Sequence, residues 1–250
     1  MMQGKTALYI DGVAVAFGSL RAVDGLSMLI RYGEVRAIIG PNGAGKTTFL
    51  DIITGKTRPD SGVIELDGGI DLLALTEPKV ALAGVGRKFQ KPSVFEALSV
   101  EDNLNLSLRD PAFGMTREMF RSATAAERER MEHVLETIGM QDMQSQSAGV
   151  LSHGEKQWLE IGMLLLQEPK VLLLDEPVAG MTHAETERTV ELVKSLRAPE
   201  RAVVVIEHDM SFVEKIADVV SVLHEGRLLV EGSMGRVQSD ERVRDVYLGR

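Results

Sequence analysis

The chain has 250 residues, 44 % of them hydrophobic and 26 % charged, enough for one large domain or two small ones with a substantial core. A net charge of −9 and a pI near 5.2 argue against a general nucleic-acid-binding surface, although a local electropositive loop can still hold a phosphate. Without cysteine there is no disulfide, thiolate metal site or cysteine nucleophile, and no run of eighteen apolar residues suggests a membrane span. The opening MMQGKTALYIDG lacks the apolar stretch of a signal peptide, so a cytoplasmic location is expected.

Residues 6–40 read as strands. Leu8, Ile10, Val13 and Val15 line the first, and Leu26–Ile30 and Val35–Ile39 follow around a Tyr-Gly turn at 32–33. The last strand runs into GPNGAGKTT (40–48), after which Thr47–Thr54 reads as a helix, and short strands return over 62–75. From Ser99 the period turns helical. Ser99 with Asp102 predicts an N-cap before Asn103–Leu108, and a long helix is expected over 116–139, burying Phe120, Ala123, Met131, Val134, Leu135 and Ile138. The run AERERMEH fits that helix's solvated face. In LSHGEKQ (151–157), Ser152 and Glu155 predict a capped helix start, and Trp158, Ile161, Gly162 and Leu165 share one face before Pro169. Beyond it come strand 171–175, helix 184–197, strand 202–207, helix 211–217 and a hairpin of Val219–Leu223 and Arg227–Val230. Strands that are apolar without alternation, separated by helices, indicate a mainly parallel sheet covered on both faces.

GPNGAGKTT holds Gly-x4-Gly-Lys-Thr between an apolar strand and a helix, where a phosphate loop belongs. Glycines let backbone N–H groups close around a β-phosphate at a helix N-terminus, and the binding loop is made of Gly40, Pro41, Asn42, Gly43, Ala44, Gly45, Lys46, Thr47 and Thr48. Lys46 would reach the β- and γ-phosphates, and the Thr47 hydroxyl would ligate Mg²⁺. The strand VLLLDE (171–176) delivers Asp175 to the mouth of that loop to hold the Mg²⁺ shell, and Glu176 is placed to orient or deprotonate a water. The expected fold is an α/β P-loop NTPase core with N-terminal antiparallel strands and an inserted helical subdomain. As one domain over 1–250, its core would span about 1–90 and 160–250 and its helical subdomain about 91–159.

With these motifs in order, the chain resembles the ATP-binding subunits of ABC transporters from Leu8 to Gly249. The carriers are an aromatic at Phe17, the Walker A loop at 40–48, a Q-loop glutamine at Gln90, the signature LSHGE, Walker B with Glu176, and His208 after the strand at 202–207. The resemblance implies a head-to-tail dimer, with itself or a paralogous ATP-binding subunit, sandwiching two ATP molecules with Mg²⁺. Phe17 would stack on adenine, and Gln90 would sense Mg²⁺ and the γ-phosphate. Ser152, His153, Gly154 and Glu155 would meet the γ-phosphate held by the partner chain. His208 would contact the same phosphate. Permease subunits would dock near Lys91–Phe95 on the inner face of the membrane, with a periplasmic or extracellular substrate-binding protein acting through them. Three positions depart from the family pattern: His153 and Glu155 stand where glycine and glutamine are usual, and Thr182 where many members carry aspartate.

RKFQKPSVF (87–95), LSHGEKQWLEIGML (151–164), DEPVAGMT (175–182) and DERVRDVYLG (240–249) resemble the branched-chain amino-acid and amide uptake group, and within it urea transporter subunits. An exporter ATPase and a soluble P-loop enzyme are the alternatives. A soluble kinase or GTPase would lack the signature, Gln90 and His208. A DNA-repair head would place long coiled coils between its Walker motifs, whereas Lys46 and Asp175 are 129 residues apart (175 − 46).

Overall fold

The computed structural model describes residues 5–88, 93–108 and 124–248. Two compact units emerge, one of Met1–Arg87, Lys170–Pro177 and Leu196–Arg250, the other of Lys88–Pro169 and Val178–Ser195. The second is wider than the expected 91–159: it runs on to Pro169, and the chain returns to it after Walker B.

The first unit carries two sheets. Strands β1 (Thr6–Phe17) and β2 (Leu20–Arg31) form a long antiparallel hairpin, and β4 (Ser61–Leu66) and β5 (Ile70–Asp71) extend it in the order β2-β1-β4-β5. Leu8, Ile10, Val13 and Val15 are buried on one face, as their spacing predicts, while Tyr9 and Leu29 lie opposite each other on the exposed face. The second sheet runs β10-β9-β3-β8-β7-β6, with β3 (Val35–Ile39), β6 (Val85–Lys88), β7 (Val171–Asp175), β8 (Ala202–Ile206), β9 (Val219–His224) and β10 (Arg227–Gly232). Strands β9, β3, β8 and β7 are parallel neighbours, and β10 closes one edge as an antiparallel hairpin. Every residue of β3, β7 and β8 is buried, the signature of a sheet covered on both sides. That burial includes a charge. Arg36 donates to Glu34 (2.9 Å), the Ser221 hydroxyl (2.9 Å) and the Leu29 carbonyl (2.8 Å), and pairs with Glu231, so its guanidinium is satisfied inside the core.

The helices of this unit are α1 (Lys46–Ile53), α2 (Glu77–Leu82), α7 (Met210–Ile216), α8 (Met234–Ser239) and α9 (Glu241–Leu248). Register places the site. Ile38 of β3 pairs with Ile206 of β8, and Ile206 with Asp175 of β7, so three parallel strands end at one level. Ligands of such sheets bind beyond the carboxyl ends of the strands, and there the chain puts Gly40, Asp175 and His208.

The second unit is helical: α3 (Val100–Ser107), α4 (Ala125–Ile138), α5 (His153–Leu165) and α6 (His183–Ser195). Ser99 caps α3 through the Asp102 amide, as its spacing predicts. On α4, Met131, Val134, Leu135 and Ile138 are buried; Phe120 and Ala123 of the expected stripe lie outside the described residues. Gly162 of α5 is where three helices meet: a Cβ there would stand 2.8 Å from Ile138 Cδ1, 3.2 Å from Val134 Cγ1 and 3.3 Å from Leu104 Cδ2. The described residues contain no helix long and apolar enough to cross a membrane.

Candidate functional site

The phosphate loop leaves β3 at Gly40 and enters α1 at Lys46. Two of its glycines, Gly40 and Gly45, are dictated by close approach. Gly45 sits at φ +93°, and a Cβ there would lie 2.2 Å from the Ala22 carbonyl oxygen; at Gly40 it would lie 2.2 Å from that of Leu223. Neighbouring backbone thus cradles the loop, with Gly226 of the β9–β10 turn donating to the Ala44 carbonyl at 3.2 Å. Lys46 folds back and donates to the carbonyls of Gly40 (2.7 Å) and Pro41 (3.0 Å). Burial pushes its ammonium below the usual lysine range, opposed by the charges of Glu176 and Asp175. Burial pushes the Tyr247 hydroxyl, which sequence reasoning did not single out, up to about 12, with the Gly40 backbone opposing that rise.

A cleft of about 270 Å³ opens over this loop, lined by Phe17, Leu20, Ala22, Asn42, Gly43, Ala44, Gly45, Lys46, Thr47, Thr48, Glu176 and His208. Phe17 and Leu20 flank the tight turn of the first hairpin, and Phe17 is 54 % exposed, its ring available to a ligand. Across the cleft, Glu176 follows β7 at φ +47°, in the left-handed region, with its amide donating to the Ile206 carbonyl at 3.0 Å. His208 Nε2 stands 3.1 Å from Glu176 Oε1. Asp175, at the end of β7, accepts from Arg87 Nη2 at 2.9 Å. The structure therefore gathers Phe17, the loop residues Asn42–Thr48, Glu176 and His208 around one cleft. Gln90 and Lys91 lie outside the described residues.

A triphosphate suits this cradle, where the loop backbone, a lysine and the first turn of a helix line one cleft. No group of three or more histidine or acidic side chains able to hold a metal by itself occurs among the described residues. One hydroxyl, Thr47, and one carboxylate, Asp175, suit a cation such as Mg²⁺ that keeps waters and takes phosphate oxygens.

The signature segment belongs to the helical unit. Ser152 is the N-cap of α5: its hydroxyl accepts from the Glu155 amide (3.2 Å), and its own amide donates to Glu155 Oε2 (2.7 Å), the reciprocal pair that the sequence predicts. Glu155, one of the departures, is thereby a capping residue. Ser152 also donates to Glu185 Oε1 at 3.2 Å. His153 is not among the non-glycine residues at positive φ, and its Nε2 lies 3.2 Å from the Ala179 carbonyl, tying the signature to the segment after Walker B. Thr182, the departure after Walker B, caps α6: its amide and hydroxyl both donate to Glu185 Oε2 at 2.8 Å. Those donors, the Thr182 amide first, hold the Glu185 carboxyl below its ordinary range.

Comparison with known proteins bears on this geometry. The sequence model of the ABC transporter family matches residues 23–179, more than half of the chain. The chain is an ABC transporter ATPase. Across almost its whole length this ABC ATPase is similar to the high-affinity branched-chain amino acid transport ATP-binding protein BraF of Pseudomonas aeruginosa, 34 % identical and covering 98 % of both chains. It is 33 % identical to LivG of Escherichia coli K12, with 97 % of each covered. Its fold matches that of MJ1267 in its ADP conformation, an ATP-binding cassette of an ABC transporter, with a TM-score of 0.84, 27 % identity, and 98 % and 99 % of the two chains covered. The ABC ATPase therefore binds ATP and hydrolyses it as a transport subunit.

Proposed function

We propose that this ATPase closes head to tail with a second copy, or with a paralogous subunit, around two Mg-ATP and drives an importer of branched-chain amino acids, amides or urea. The observation that carries the importer reading is the whole-length likeness to BraF and LivG. Urea is the narrower proposal, supported by the motif likeness over 87–95, 151–164 and 175–182. The cassette does not itself read substrate: the chain is also 35 % identical over 240 residues to RbsA, a ribose import ATP-binding protein of Chromobacterium violaceum, covering 46 % of that longer protein.

The roles follow from the cleft. Backbone amides of the loop and Lys46 hold the β- and γ-phosphates, and Phe17 stacks on adenine. Thr47 and Asp175, with Gln90, would hold Mg²⁺, which when bound neutralises charge on the phosphate oxygens. Glu176 accepts the proton of the attacking water, and His208, in contact with that carboxylate, keeps it aimed and meets the γ-phosphate. All residues lining the cleft come from the first unit, and the second chain's Ser152 with its α5 N-terminus supplies the remaining anion contacts. The permease docks near Lys91–Phe95, with the cassette held at the inner face of the membrane. Phe95 supports this, being 56 % exposed while Asn103 pins its backbone amide (2.8 Å) and carbonyl (3.1 Å).

The test is to tag the chain, purify it from membranes, identify its membrane partners and reconstitute them with their binding protein. ATP turnover stimulated by urea-loaded binding protein supports the narrow reading, and stimulation by leucine alone supports only the broad one. Stimulation by a sugar, or co-purification with an exporter, overturns both. In parallel, Glu176→Gln should bind ATP, lose turnover by orders of magnitude and elute as a dimer with ATP. Turnover near the wild-type rate would remove Glu176 as the base.

A further inference from the structure

One buried charge beside the cleft has no part in the roles above. Arg87, on the short strand β6, has a side chain only 4 % exposed and makes a fork. Its Nη2 donates to Asp175 Oδ2 at 2.9 Å, and its Nη1 to Asp51 Oδ1 at 2.5 Å. Asp51 lies on α1 four residues after Thr47, one helical turn along the same face. The guanidinium thus joins the helix that carries the metal's hydroxyl to the strand that carries its carboxylate. Lys56 Nζ also reaches Asp51, at 3.5 Å, but from an exposed position and to the other oxygen.

A buried ion pair of this kind is weak grounds for stability, because desolvation offsets much of the attraction. Its geometry is better suited to alignment. A planar guanidinium can serve two acids at a fixed separation, which an ammonium on a flexible stem cannot do. It also sets a positive charge between two carboxylates that would otherwise repel each other in a poorly solvated place.

We infer that Arg87 is a positioning residue for the metal: through Asp51 and Asp175 it holds the Thr47-bearing helix and the Walker B carboxylate in the register that Mg²⁺ needs. This rests on the Mg-ATP reading of the cleft. The loop contacts to phosphate do not pass through Arg87, so its effect belongs to the metal and not to the nucleotide alone.

The experiment is isothermal titration of the full chain with ATP, in EDTA and over a series of Mg²⁺ concentrations, with thermal melts of each variant without nucleotide. Arg87→Lys keeps the charge and loses the fork. Arg87→Met combined with Asp51→Asn removes the fork without leaving both acids uncompensated, and Asp175 is intact in both. The Mg²⁺ concentration giving half of the metal-dependent tightening should rise about 5-fold or more in Arg87→Lys, and further in the double variant. ATP affinity in EDTA should stay within about twofold of wild type. A folded variant whose Mg²⁺ requirement lies within twofold of wild type would overturn the inference, whatever its melting temperature. So would a parallel loss of affinity in EDTA, which would make Arg87 a support of the phosphate loop. Absence of any metal-dependent tightening in the wild type would bring down the metal reading itself, and this inference with it.

Discussion

Phe17→Ala tests the proposed adenine contact apart from everything else in the cleft. The ring stands at the end of the first hairpin, 54 % exposed and lining the same cleft as Lys46 and Thr47. Because about half of it is already in water, truncation removes little core. The cost to the fold should stay near the range of surface substitutions, about 0.5–1 kcal/mol, or a few degrees in melting temperature for a chain of this size. Loss of an aromatic stack is worth about 0.5–1.5 kcal/mol beyond burial. At about 1.4 kcal/mol per tenfold, ATP affinity should fall roughly 2- to 12-fold. Titration of the isolated chain with ATP, at fixed excess Mg²⁺ and again in EDTA, reads this directly. The weakening should be equal in the two conditions, since the ring sits at the hairpin end and not beside Asp175. Phe17→Trp should restore or exceed wild-type affinity. Unchanged affinity in Phe17→Ala would refute the stacking assignment, and a loss confined to the Mg²⁺ arm would place the ring's effect on the metal instead.

Lys46→Ala should abolish tight Mg-ATP binding by calorimetry while leaving the fold standing, because the lysine's partners in the free chain are backbone carbonyls that water can replace. Phe95→Ala should lower affinity for the membrane subunits by about 1–3 kcal/mol, as for loss of an interface anchor, with ATP affinity unmoved; pull-down and titration measure the two halves. Glu185 has a folded-state pKa held below its ordinary value, so its stabilising contribution is present above the ordinary carboxylate range and is lost as pH falls through the depressed pKa. The urea midpoints of wild type and Glu185→Gln should therefore differ most near pH 7 and converge in acid, and a gap that widens in acid would contradict that sign.

The parallel sheet was legible because β3, β7 and β8 are unbroken apolar runs apart from Arg36 and the strand-ending Asp175, and the candidate site because glycine spacing and strand-ending acids are local features. Strand β6 was not read: Val-Gly-Arg-Lys offers one apolar side chain and two charges, both buried against the pattern. The Arg87 fork spans 36 residues to Asp51 and 88 to Asp175, so no window along the chain contains it. The departures at Thr182 and His153 differ in this respect. Thr182 followed three residues later by Glu185 is a capping sequence and could have been read as one. The contact of His153 with the Ala179 carbonyl depends on how the segment after Walker B folds back, which sequence periodicity does not specify. Helices α8 and α9 escaped because their few apolar positions, Val237 and Val243 among them, are diluted by charge.

Glu176, the proposed base, stands in a conformation that an L-residue resists. Left-handed backbone at a non-glycine residue costs on the order of 1–3 kcal/mol, and here its amide is pinned to the Ile206 carbonyl, so the strain cannot relax by simple rotation. Glycine would occupy that position without steric penalty. A search for hardier versions of this protein that scores only thermal resistance would thus be drawn toward Glu176→Gly, a cassette that melts later and no longer turns over. With Glu176 as the proposed base, durability and catalysis would pull in opposite directions at this one backbone angle, so any attempt to toughen the subunit should leave it alone.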